Sequence, residues 1–435
     1  MALKSWLPIP DDHEFSIENL PFGIFSTRLN PMPRPGIALG DYIVDLSALA
    51  SNAVFQSLCP AQFPFSTLQQ STMNDFAALG RKTVNAIRLL VKDLFLETTS
   101  MLRDDQKLRA AVVVNTREEG VEAQMHLPFD TRDFTDFLNS RVHAKNTHST
   151  STTPININLR RIRFNPPRAF CGRVSSLIVS GTPIVRPMGH LVKNNGEAYA
   201  AASQEMDVEI EFGFFIGVGS QRFERISIQD AEEHIFGVVM LNDWSTRDIQ
   251  KFEDHPFAAF NAKSFATTIS PWVVTLDALA PFKIKPQAQD PLDIPPYLTD
   301  TEPNGTYDIS INMSWTLDKE KETFNASTSN LQNAYWSFKQ MLTHHAFGGC
   351  QMRTGDLIGT GTITGEEEDS ICSLVEKTRD GKMAVETPAG NRRTYVADGD
   401  EVVFTAWGGN QGPEMAGKRV GFGQCSAVIL PATPL

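Results

Sequence analysis

Cysteine is scarce in this sequence. Only five cysteines occur among 435 residues, they lie far apart, and no two form a C-x-x-C pair. That spacing argues against a disulfide framework and against a zinc-thiolate site, and it is typical of proteins from a reducing compartment. The five are Cys59, Cys171, Cys350, Cys372 and Cys425.

Long apolar runs and an excess of positive charge are also missing. The longest apolar run, within IFGVVMLN, is far shorter than the roughly 20 residues of a membrane span. The N-terminal MALKSWLPIPDDHEF contains no apolar stretch of signal-peptide length. A net charge of −12 without a basic cluster argues against nucleic acid and anionic membranes as partners. We therefore expect a soluble, cytoplasmic protein.

The composition that is present is that of a globular protein. Hydrophobic residues make up 41% of the chain and charged residues 21%. The length exceeds that of one ordinary domain, so two unequal domains are expected. Residues 1 to about 120 are interpreted as a small domain of strands plus one helix. The remainder is mostly short strands separated by glycine and proline, which predicts a β-rich α+β fold.

Local patterns predict individual elements. GIALGDYIVDLSALA reads as strand, Gly40-Asp41 turn, strand. In NDFAALGRKTVNAIRLLVKDLFLET an apolar stripe recurs at three and four residues, which predicts a helix. AAVVVNT predicts a short strand, NAYWSFKQMLTHHAF a helix, and the Ser/Thr-rich stretch 146–158 a mobile loop. The stripe consists of Val84, Ile87, Val91 and Leu94.

The segment EMDVEIEF is the most informative for chemistry. Strand side chains alternate between faces, so Val208, Ile210 and Phe212 should point into a core. The acids then share the opposite face. Either this is the solvated face of an exposed strand, or a bound cation relieves the repulsion between neighbouring carboxylates. The acids are Glu205, Asp207, Glu209 and Glu211.

A second stretch, HIFGVVMLNDWSTRDIQKFED, places an apolar strand before a helix. The strand should end at Asn242-Asp243, and Asp243 is either the cap of the following helix or a ligand at a strand end. On the helix, Arg247, Gln250 and Asp254 share one face. Downstream come Lys263 and Thr267, of which Lys263 could equally be a surface lysine.

A third stretch, RDFTDFLNSRVHAKN, puts an acid seven residues before an imidazole. Asp136 and His143 are either members of a polar loop or half of a catalytic site. The stretch by itself does not distinguish the two, because single short motifs match by chance too often.

Taken in order, the motifs resemble a known family. TDF…RVHA, MDVEIEFGFFIG, HIFGVVMLNDWSTRDIQK, KSFATTISPWVV, GTGTITG and GFGQC are similar to the fumarylacetoacetase family, which includes the last enzyme of tyrosine degradation. The likeness extends to IENLPFGIFSTR near the N-terminus and covers nearly the whole chain. It implies an SH3-like β-barrel over 1–122, a mixed β-roll of the fumarylacetoacetate hydrolase superfamily over 123–435, and a homodimer.

The resemblance also implies a set of site residues. Four acids would bind a divalent cation, either Ca²⁺, Mg²⁺ or Mn²⁺: Asp136, Glu209, Glu211 and Asp243. Such an all-oxygen set suits a hard cation. His143 would be a general base oriented by Glu376, while Lys263 and Thr267 would lie at a second, lighter cation site. The residues facing substrate would be Arg247, Gln250, Lys263 and Thr362.

The implied reaction is hydrolysis of a carbon–carbon bond in a 1,3-dicarbonyl compound. Water activated by His143 would attack a carbonyl, Lys263 and Arg247 would stabilise the oxyanion, and the cation would stabilise the departing enolate. Two alternatives stay open. One is decarboxylation, isomerisation or dehydration through a metal-bound enolate, and the other is an inactive paralogue.

The substrate positions depart from the family pattern. Leu138 stands where fumarylacetoacetases carry a tyrosine, FCGR replaces YHGR at Phe170 and Cys171, and Asp254 replaces another tyrosine. An arginine expected near Thr152 is absent. Because phenols and guanidinium groups recognise carboxylates by charge-assisted hydrogen bonds, we expect a less anionic or bulkier substrate, with specialised metabolism as a plausible setting.

Overall fold

The computed structural model describes residues 3–150, 166–193, 195–253, 259–289 and 294–434, and the statements below concern these residues. The strands, in chain order, are β1 Phe22–Thr27, β2 Arg34–Leu39, β3 Tyr42–Asp45, β4 Val113–Asn115, β5 Ala123–His126, β6 Phe134–Leu138, β7 Arg168–Cys171, β8 Leu177–Val179, β9 Ile184–Val185, β10 Met188–Val192, β11 Ala198–Ala202, β12 Met206–Asp207, β13 Ile210–Ile216, β14 Ile235–Asp243, β15 Ser245–Thr246, β16 Thr267–Ile269, β17 Val274–Thr275, β18 Lys283–Ile284, β19 Thr306–Tyr307, β20 Ile309–Leu317, β21 Glu322–Asn330, β22 Leu357–Gly359, β23 Val385–Glu386, β24 Arg392–Arg393, β25 Glu401–Gly408 and β26 Gly421–Leu430.

Helices are mostly short and lie between the strands. They are α1 Leu46–Ala50, α2 Ala53–Leu58, α3 Asn74–Ala77, α4 Arg81–Phe95, α5 Met101–Asp104, α6 Gln106–Val112, α7 Arg141–Thr150, α8 Arg247–Glu253, α9 Leu276–Leu279, α10 Phe338–Ala346 and α11 Leu374–Lys377. Short 3-10 turns connect several of them to the strands. The described part of the chain contains no helix both long and apolar enough to cross a lipid bilayer.

The N-terminal region is built on an antiparallel sheet of order β4-β3-β2-β1-β5. The predicted strand–turn–strand is confirmed, since Leu39 pairs with Tyr42 across Gly40, whose φ of +57° suits glycine. The apolar stripe of α4 is confirmed as well, because all four of its residues are buried. Helices α1 to α6 lie between β3 and β4 in the chain, so the expectation of one helix in this region was wrong.

Two boundaries differ from the sequence prediction for local reasons. The single helix predicted over residues 74–98 is broken into α3 and α4, because Gly80 adopts a φ of +86° between them. AAVVVNT is strand only from Val113 to Asn115, and its first residues complete α6. The helix propensity of alanine explains that exchange.

The central sheet carries the chemistry. Its order is β7-β6-β22-β13-β14-β16-β8, with β17 also paired to β14. The pairs β6–β22 and β8–β16 are parallel, and the remaining pairs are antiparallel. Every residue of β13 and β14 is buried, so both faces of these strands are covered. This excludes the solvated acidic face considered for EMDVEIEF, since Glu209 is 5% exposed and Glu211 is 0% exposed.

A third sheet, of order β21-β20-β25-β26-β9, covers the C-terminal half. Its strand β20 alternates strictly between buried and half-buried residues, as expected for a sheet with one face in the core. The helix predicted within NAYWSFKQMLTHHAF is confirmed as α10. It begins after Ser337, whose hydroxyl accepts from the Gln340 N–H while the Gln340 side chain accepts from the Ser337 N–H.

The N-terminal sheet and the central sheet share apolar contacts. Phe22 of β1 forms a β-bridge with Val273, and its ring lies 5.8 Å from that of Phe236 on β14. Phe215, Val239 and Leu241 of the central sheet belong to the same buried cluster as the N-terminal core. The overall result is a β-rich mixture of helices and strands, as predicted.

The predicted loop over 146–158 is wrong in its first part. Residues 141–150 form α7. Ser140 caps this helix, because its hydroxyl accepts from the N–H of His143. Residues 151–158 lie outside the described residues. The helical start matters for chemistry because it holds His143 on regular structure.

Candidate active site

Three strands of the central sheet deliver carboxylates to one point. Asp136 lies on β6, Asp243 ends β14, and Glu209 directly precedes β13. One oxygen from each of these three buried acids lies within 4.8 Å of the others. Adjacent strands place them there, since Asp243 pairs with Thr267, and Asp136 pairs with Gly359 of β22. Asp243 does not cap α8, because Trp244, Ser245 and Thr246 separate it from that helix.

Glycine is required beside Asp136. A Cβ atom on Gly359 would lie 2.6 Å from Oδ1 of Asp136, which is closer than real contacts allow. Two residues later Gly361 has a φ of +75°, and a Cβ there would lie 1.7 Å from the carbonyl oxygen of Phe137. The GTGTITG segment can therefore pack against the acid-bearing strand only with glycine at both positions.

Glu211 lies beside this trio rather than within it. Both of its carboxylate oxygens, and Oδ1 of Asp136, are buried without a hydrogen-bond donor among the described residues. Burial, and then repulsion from Asp136, raise the pKa of Glu211 well above its usual range. Burial and then Asp243 do the same to the pKa of Asp136. Unpaired buried carboxylates are costly, so these oxygens fit a missing positive charge.

Lysine supplies part of that positive charge. The Lys263 ammonium donates to Oε2 of Glu209 at 2.5 Å and to Oδ2 of Asp243 at 2.9 Å, and Thr267 donates to Oδ1 of Asp243 at 2.8 Å. Burial alone would raise the pKa of Glu209, but Lys263 and then Arg247 outweigh it and lower that pKa. Lys263 is buried, so it is not the surface lysine considered from sequence.

Arg247 begins α8 and joins two acids. Its Nε donates to Oδ2 of Asp207 at 2.7 Å, its Nη2 to Oε1 of Glu209 at 2.6 Å, and its Nη1 to Oε1 of Gln250 at 2.9 Å. Burial alone would lower the pKa of Arg247. The charges of Asp207 and then Glu209 outweigh burial, so this pKa lies above its usual value. The expected shared face of Arg247 and Gln250 is therefore observed, whereas Asp254 lies outside the described residues.

The histidine lies in a separate buried pair. Nδ1 of His143 is 2.7 Å from Oε2 of Glu376, and both side chains are buried. Ser373, Thr364 and Asn146 also donate to the Glu376 carboxylate, at 2.6, 2.8 and 3.0 Å. Burial would raise the pKa of Glu376, but His143 and then the hydroxyls of Ser373 and Thr364 lower it. Glu376 therefore stays ionised and fixes the imidazole.

His143 and the acids lie in one site. Glu209 forms a β-bridge with Ser373, whose hydroxyl donates to the Glu376 carboxylate that holds His143. Ser140 links the segments further, because its hydroxyl accepts from the His143 N–H at 3.0 Å and donates to the Thr364 carbonyl at 2.6 Å. The loop after β22 thus contacts both the start of α7 and the acid-bearing strands.

The residues predicted to face the substrate differ in how close they lie to the acids and in how buried they are. Phe170 pairs with Asp136 across β6 and β7, and Nζ of Lys263 lies 5.8 Å from its ring centroid. Leu138 is half-buried and pairs with Arg168, and Cys171 next to Phe170 is exposed. Thr362 is buried one residue after Gly361. The ring of Phe170 therefore gives the site an apolar surface beside Lys263 and Asp136.

The electrostatic balance of the cluster is negative. Five buried carboxylates in the described residues surround only two buried basic side chains, Arg247 and Lys263, so full ionisation would leave an excess of three negative charges. A divalent cation would reduce that excess, and oxygen ligands suit a hard cation. The carboxylates are Asp136, Asp207, Glu209, Glu211 and Asp243.

Sequence reasoning missed some contributors. Asp207 was placed on the acidic face but not assigned a role, and Thr364 and Ser373 were not considered. The period-two alternation that singled out Glu209 and Glu211 includes Asp207 as well, so that signal was available. No comparable pattern marks Thr364 or Ser373, because their role depends on how distant segments pack.

Comparisons with known proteins identify the family. The family model Fumarylacetoacetase N-terminal matches residues 18–128, and Fumarylacetoacetate (FAA) hydrolase C-terminal matches residues 133–429. Fumarylacetoacetase of Mus musculus is 41% identical over 429 residues, covering 98% of this chain and 99% of that protein. The Homo sapiens fumarylacetoacetase is 40% identical over 429 residues with the same coverage, and that of Arabidopsis thaliana is 38% identical over 433 residues, covering 99% of each.

Solved structures give the same fold at lower identity. Fumarylacetoacetate hydrolase (EaFAH) from psychrophilic Exiguobacterium antarcticum superimposes with a TM-score of 0.51 at 15% identity, covering 95% of this chain and 99% of that one. This likeness concerns the fold alone. The two matching family models together span both regions, and the relatives match along nearly the full length. The chain therefore belongs to the fumarylacetoacetase family.

Proposed function

We propose that this protein is a divalent-cation-dependent hydrolase that cleaves a carbon–carbon bond of a 1,3-dicarbonyl compound. The observation that carries the proposal is the meeting of two buried arrangements in one site. Asp136, Glu209 and Asp243 converge within 4.8 Å, and the His143–Glu376 pair lies on the adjoining segments. Family membership supplies the reaction class.

His143 acts as the general base. Glu376 is ionised and accepts at 2.7 Å, so Nδ1 carries the ring hydrogen and Nε2 is free to take a proton from water. The resulting hydroxide attacks a carbonyl carbon. The bond to the neighbouring carbon then breaks, its electron pair leaves as an enolate, and a proton returned to that enolate gives a ketone beside the carboxylate product.

Lys263 and Arg247 stabilise negative charge. The Lys263 ammonium has three hydrogens and directs two to Glu209 and Asp243, which leaves one for an oxyanion. Each Nη atom of Arg247 likewise has a second hydrogen beyond its bond to Glu209 or Gln250. Such preorganised donors contribute about 3 kcal/mol each to the transition state.

A divalent cation would be held by Asp136, Glu209, Glu211 and Asp243. The donorless oxygens of Asp136 and Glu211 support this assignment. When bound, the cation supplies positive charge that polarises a carbonyl and stabilises an enolate. Ca²⁺ and Mg²⁺ are our first candidates and Mn²⁺ a further one. Lys263 and Thr267, which donate to Asp243, would border a second, lighter cation.

We further propose that the substrate differs from fumarylacetoacetate, the compound that names the family, in being less anionic or bulkier. Leu138 and Phe170 present apolar surface close to Asp136 and Lys263, where a phenol would offer a donor. Gln250 and Thr362 remain as polar groups. A site without built-in partners for a substrate group discriminates against it strongly. A specialised pathway would be a natural setting.

A panel assay tests the proposal. Purified protein is incubated with fumarylacetoacetate, neutral 1,3-diketones and β-keto acids, with Ca²⁺, Mg²⁺ or Mn²⁺ or with chelator, and products are identified by mass. We expect products in which the carbon chain of the substrate is cleaved with addition of water. Formation of these products should be lost when the chelator is present. Loss of CO₂, or a rearranged product of unchanged or dehydrated mass, would replace hydrolysis by another enolate reaction. No product from any compound would indicate an inactive paralogue.

Several coarser features complete the proposal. We divide the chain into residues 1–122, with an SH3-like barrel, and residues 123–435, with the catalytic β-roll. The protein is proposed to act on a small molecule in the cytoplasm as a homodimer. Sedimentation of the full chain tests the dimer, and limited proteolysis tests the boundary near residue 122.

A further inference from the structure

Asp207 is fully buried and lies between the two halves of the site. Its Oδ2 accepts from Nε of Arg247 at 2.7 Å and from the backbone N–H of Val375 at 2.9 Å. Its Oδ1 accepts from the N–H of Leu374 at 2.6 Å and from its neighbour Val208 at 2.7 Å. One carboxylate thus bonds both an arginine and the first residues of α11.

Each of these contacts leads to a different functional group. Arg247 continues to Glu209, which belongs to the carboxylate trio. Helix α11 carries Glu376, whose carboxylate holds Nδ1 of His143. Asp207 is therefore the junction in a chain of hydrogen bonds that runs from the carboxylate trio to the base.

Helix α11 is too short to be stable without contacts to the rest of the protein. It spans only Leu374–Lys377, whereas isolated helices shorter than about 12 residues are marginal in water. Its first N–H groups have no partners within the helix, and Ser373 makes no side-chain cap bond. Two of those N–H groups donate to Asp207 instead. The position of Glu376 is thereby tied to the strand that ends at Asp207.

We infer that Asp207 is a positioning residue that sets the placement of the His143–Glu376 pair relative to the carboxylate trio, through its bonds to α11 and Arg247. This inference rests on the proposed function of His143 as base. Asp207 itself would touch neither substrate nor cation. Its replacement should slow the chemical step more than it weakens substrate or cation binding, because small misplacements of reacting groups are costly.

The test compares Asp207→Asn with a matched control, Asp400→Asn. Asp400 is also buried and accepts from two backbone N–H groups and a side chain, those of Asp318, Ala397 and Trp315, but it lies in the third sheet region. For Asp207→Asn we expect kcat to fall about 10- to 100-fold, with KM within about threefold and cation content unchanged. Asp400→Asn should leave kcat unchanged. Equal losses of kcat in both variants would overturn the inference.

A double-mutant cycle identifies the route. If Asp207 acts through Glu376, the double variant Asp207→Asn/Glu376→Gln should be no slower than Glu376→Gln alone. Additive losses would show that Asp207 acts independently of Glu376, which would overturn the inference. Should Asp207→Asn fail to fold, Val375→Pro removes one of the two bonds to α11 while keeping the Asp207 charge, and proline is tolerated in a first helical turn. An unchanged kcat in that variant would contradict the inference.

A measurement without turnover separates this inference from the proposed function. The low-field proton on Nδ1 of His143, assigned by its absence in His143→Ala, should shift or broaden in Asp207→Asn and stay in place in Asp400→Asn. If wild type cleaves no dicarbonyl yet this pattern appears, the proposed function fails and the positioning role holds. If the Nδ1 proton resonance of His143 is unshifted in Asp207→Asn, the positioning role is refuted, whatever the activity of that variant.

Discussion

Nδ1 of His143 lies 2.7 Å from Oε2 of Glu376, although 233 residues separate the two in the chain. The carboxylate also accepts from Ser373, Thr364 and Asn146, and its pKa is lowered. A fixed, ionised acceptor selects the ring tautomer with the hydrogen on Nδ1. The basic lone pair is then at Nε2, which is the requirement for a water-activating base.

Replacement of His143 should abolish most turnover. For His143→Ala we expect kcat to fall about 10²- to 10⁴-fold, which is the usual contribution of a positioned base. Cation binding, measured by calorimetry, should change little. His234 provides the control, because it lies at the opposite end of β14 from Asp243 and its Nδ1 bonds the Val218 carbonyl. Equal activity of His143→Ala and wild type would refute the assignment of the base.

Glu211 provides a test of the cation site. In Glu211→Gln the buried carboxylate without a donor is replaced by a neutral amide, so repulsion with Asp136 disappears. Cation affinity should fall at least about tenfold, while the cation-free protein should be no less stable than wild type. Calorimetric titration with Ca²⁺ and Mg²⁺ and thermal unfolding with chelator give the two readouts.

The opposite pattern would count against the site. If Glu211→Gln lowers the stability of the cation-free protein and binds cation as wild type does, Glu211 is a structural acid. Asp400→Asn is the matched control, since it also neutralises a buried acid but should leave cation affinity unchanged.

Phe170 tests the substrate preference. Phe170→Tyr adds a phenol near the Lys263 ammonium, and a hydrogen bond to a charged group contributes about 1.5–3 kcal/mol. We expect kcat/KM for fumarylacetoacetate to rise about tenfold or more, and that for a neutral 1,3-diketone to stay the same or fall. An equal rise in kcat/KM for both substrates would show that the added hydroxyl does not recognise the carboxylates of fumarylacetoacetate.

Asp356 should make stability depend on pH. Its carboxylate accepts from the N–H groups of Arg353 and Asp133, but burial and then the charge of Asp133 raise its pKa from 3.8 to about 6. Because the folded-state pKa exceeds the unfolded one, its contribution to stability is fully present below the unfolded pKa and is lost as pH rises through about 6.

Asp356→Asn should remove that dependence. Relative to the variant, wild type should lose about 1–2 kcal/mol of unfolding free energy between about pH 4 and pH 7, after allowing for solvent screening. Urea unfolding of both proteins at four pH values measures the difference. A difference that stays constant with pH would contradict the raised pKa.

Those parts of the structure that follow from local periodicity could be predicted from the sequence. The alternation in EMDVEIEF placed Val208, Ile210 and Phe212 in the core, and all three are buried. It could not distinguish a solvated acidic face from a buried one, because that depends on what covers the other side of the strand. Burial of Glu209 and Glu211 results from packing of β6, β14 and β22, which are far apart in sequence.

Other misses have equally local or equally distant causes. We predicted a loop from residue 146, but the chain is helical to Thr150 because α7 begins at Arg141, after the capping residue Ser140. In the sequence, that capping signal is weaker than the Ser/Thr-rich composition that follows it. The contacts of Asp207 with Leu374 and Val375, more than 160 residues away, could not be predicted from the sequence. Such long-range hydrogen bonds leave no periodic trace in one sequence.

The shared apolar cluster between the N-terminal region and β14 has a practical meaning for anyone dissecting this protein. Val239 and Leu241 contact the N-terminal core, and Asp243 follows two residues later on the same strand. The N-terminal region thus packs against the strand that ends at Asp243. A fragment that begins at residue 123 would expose to water the apolar side chains of β14 that the N-terminal core covers. Loss of activity in such a fragment would therefore not locate the catalytic residues.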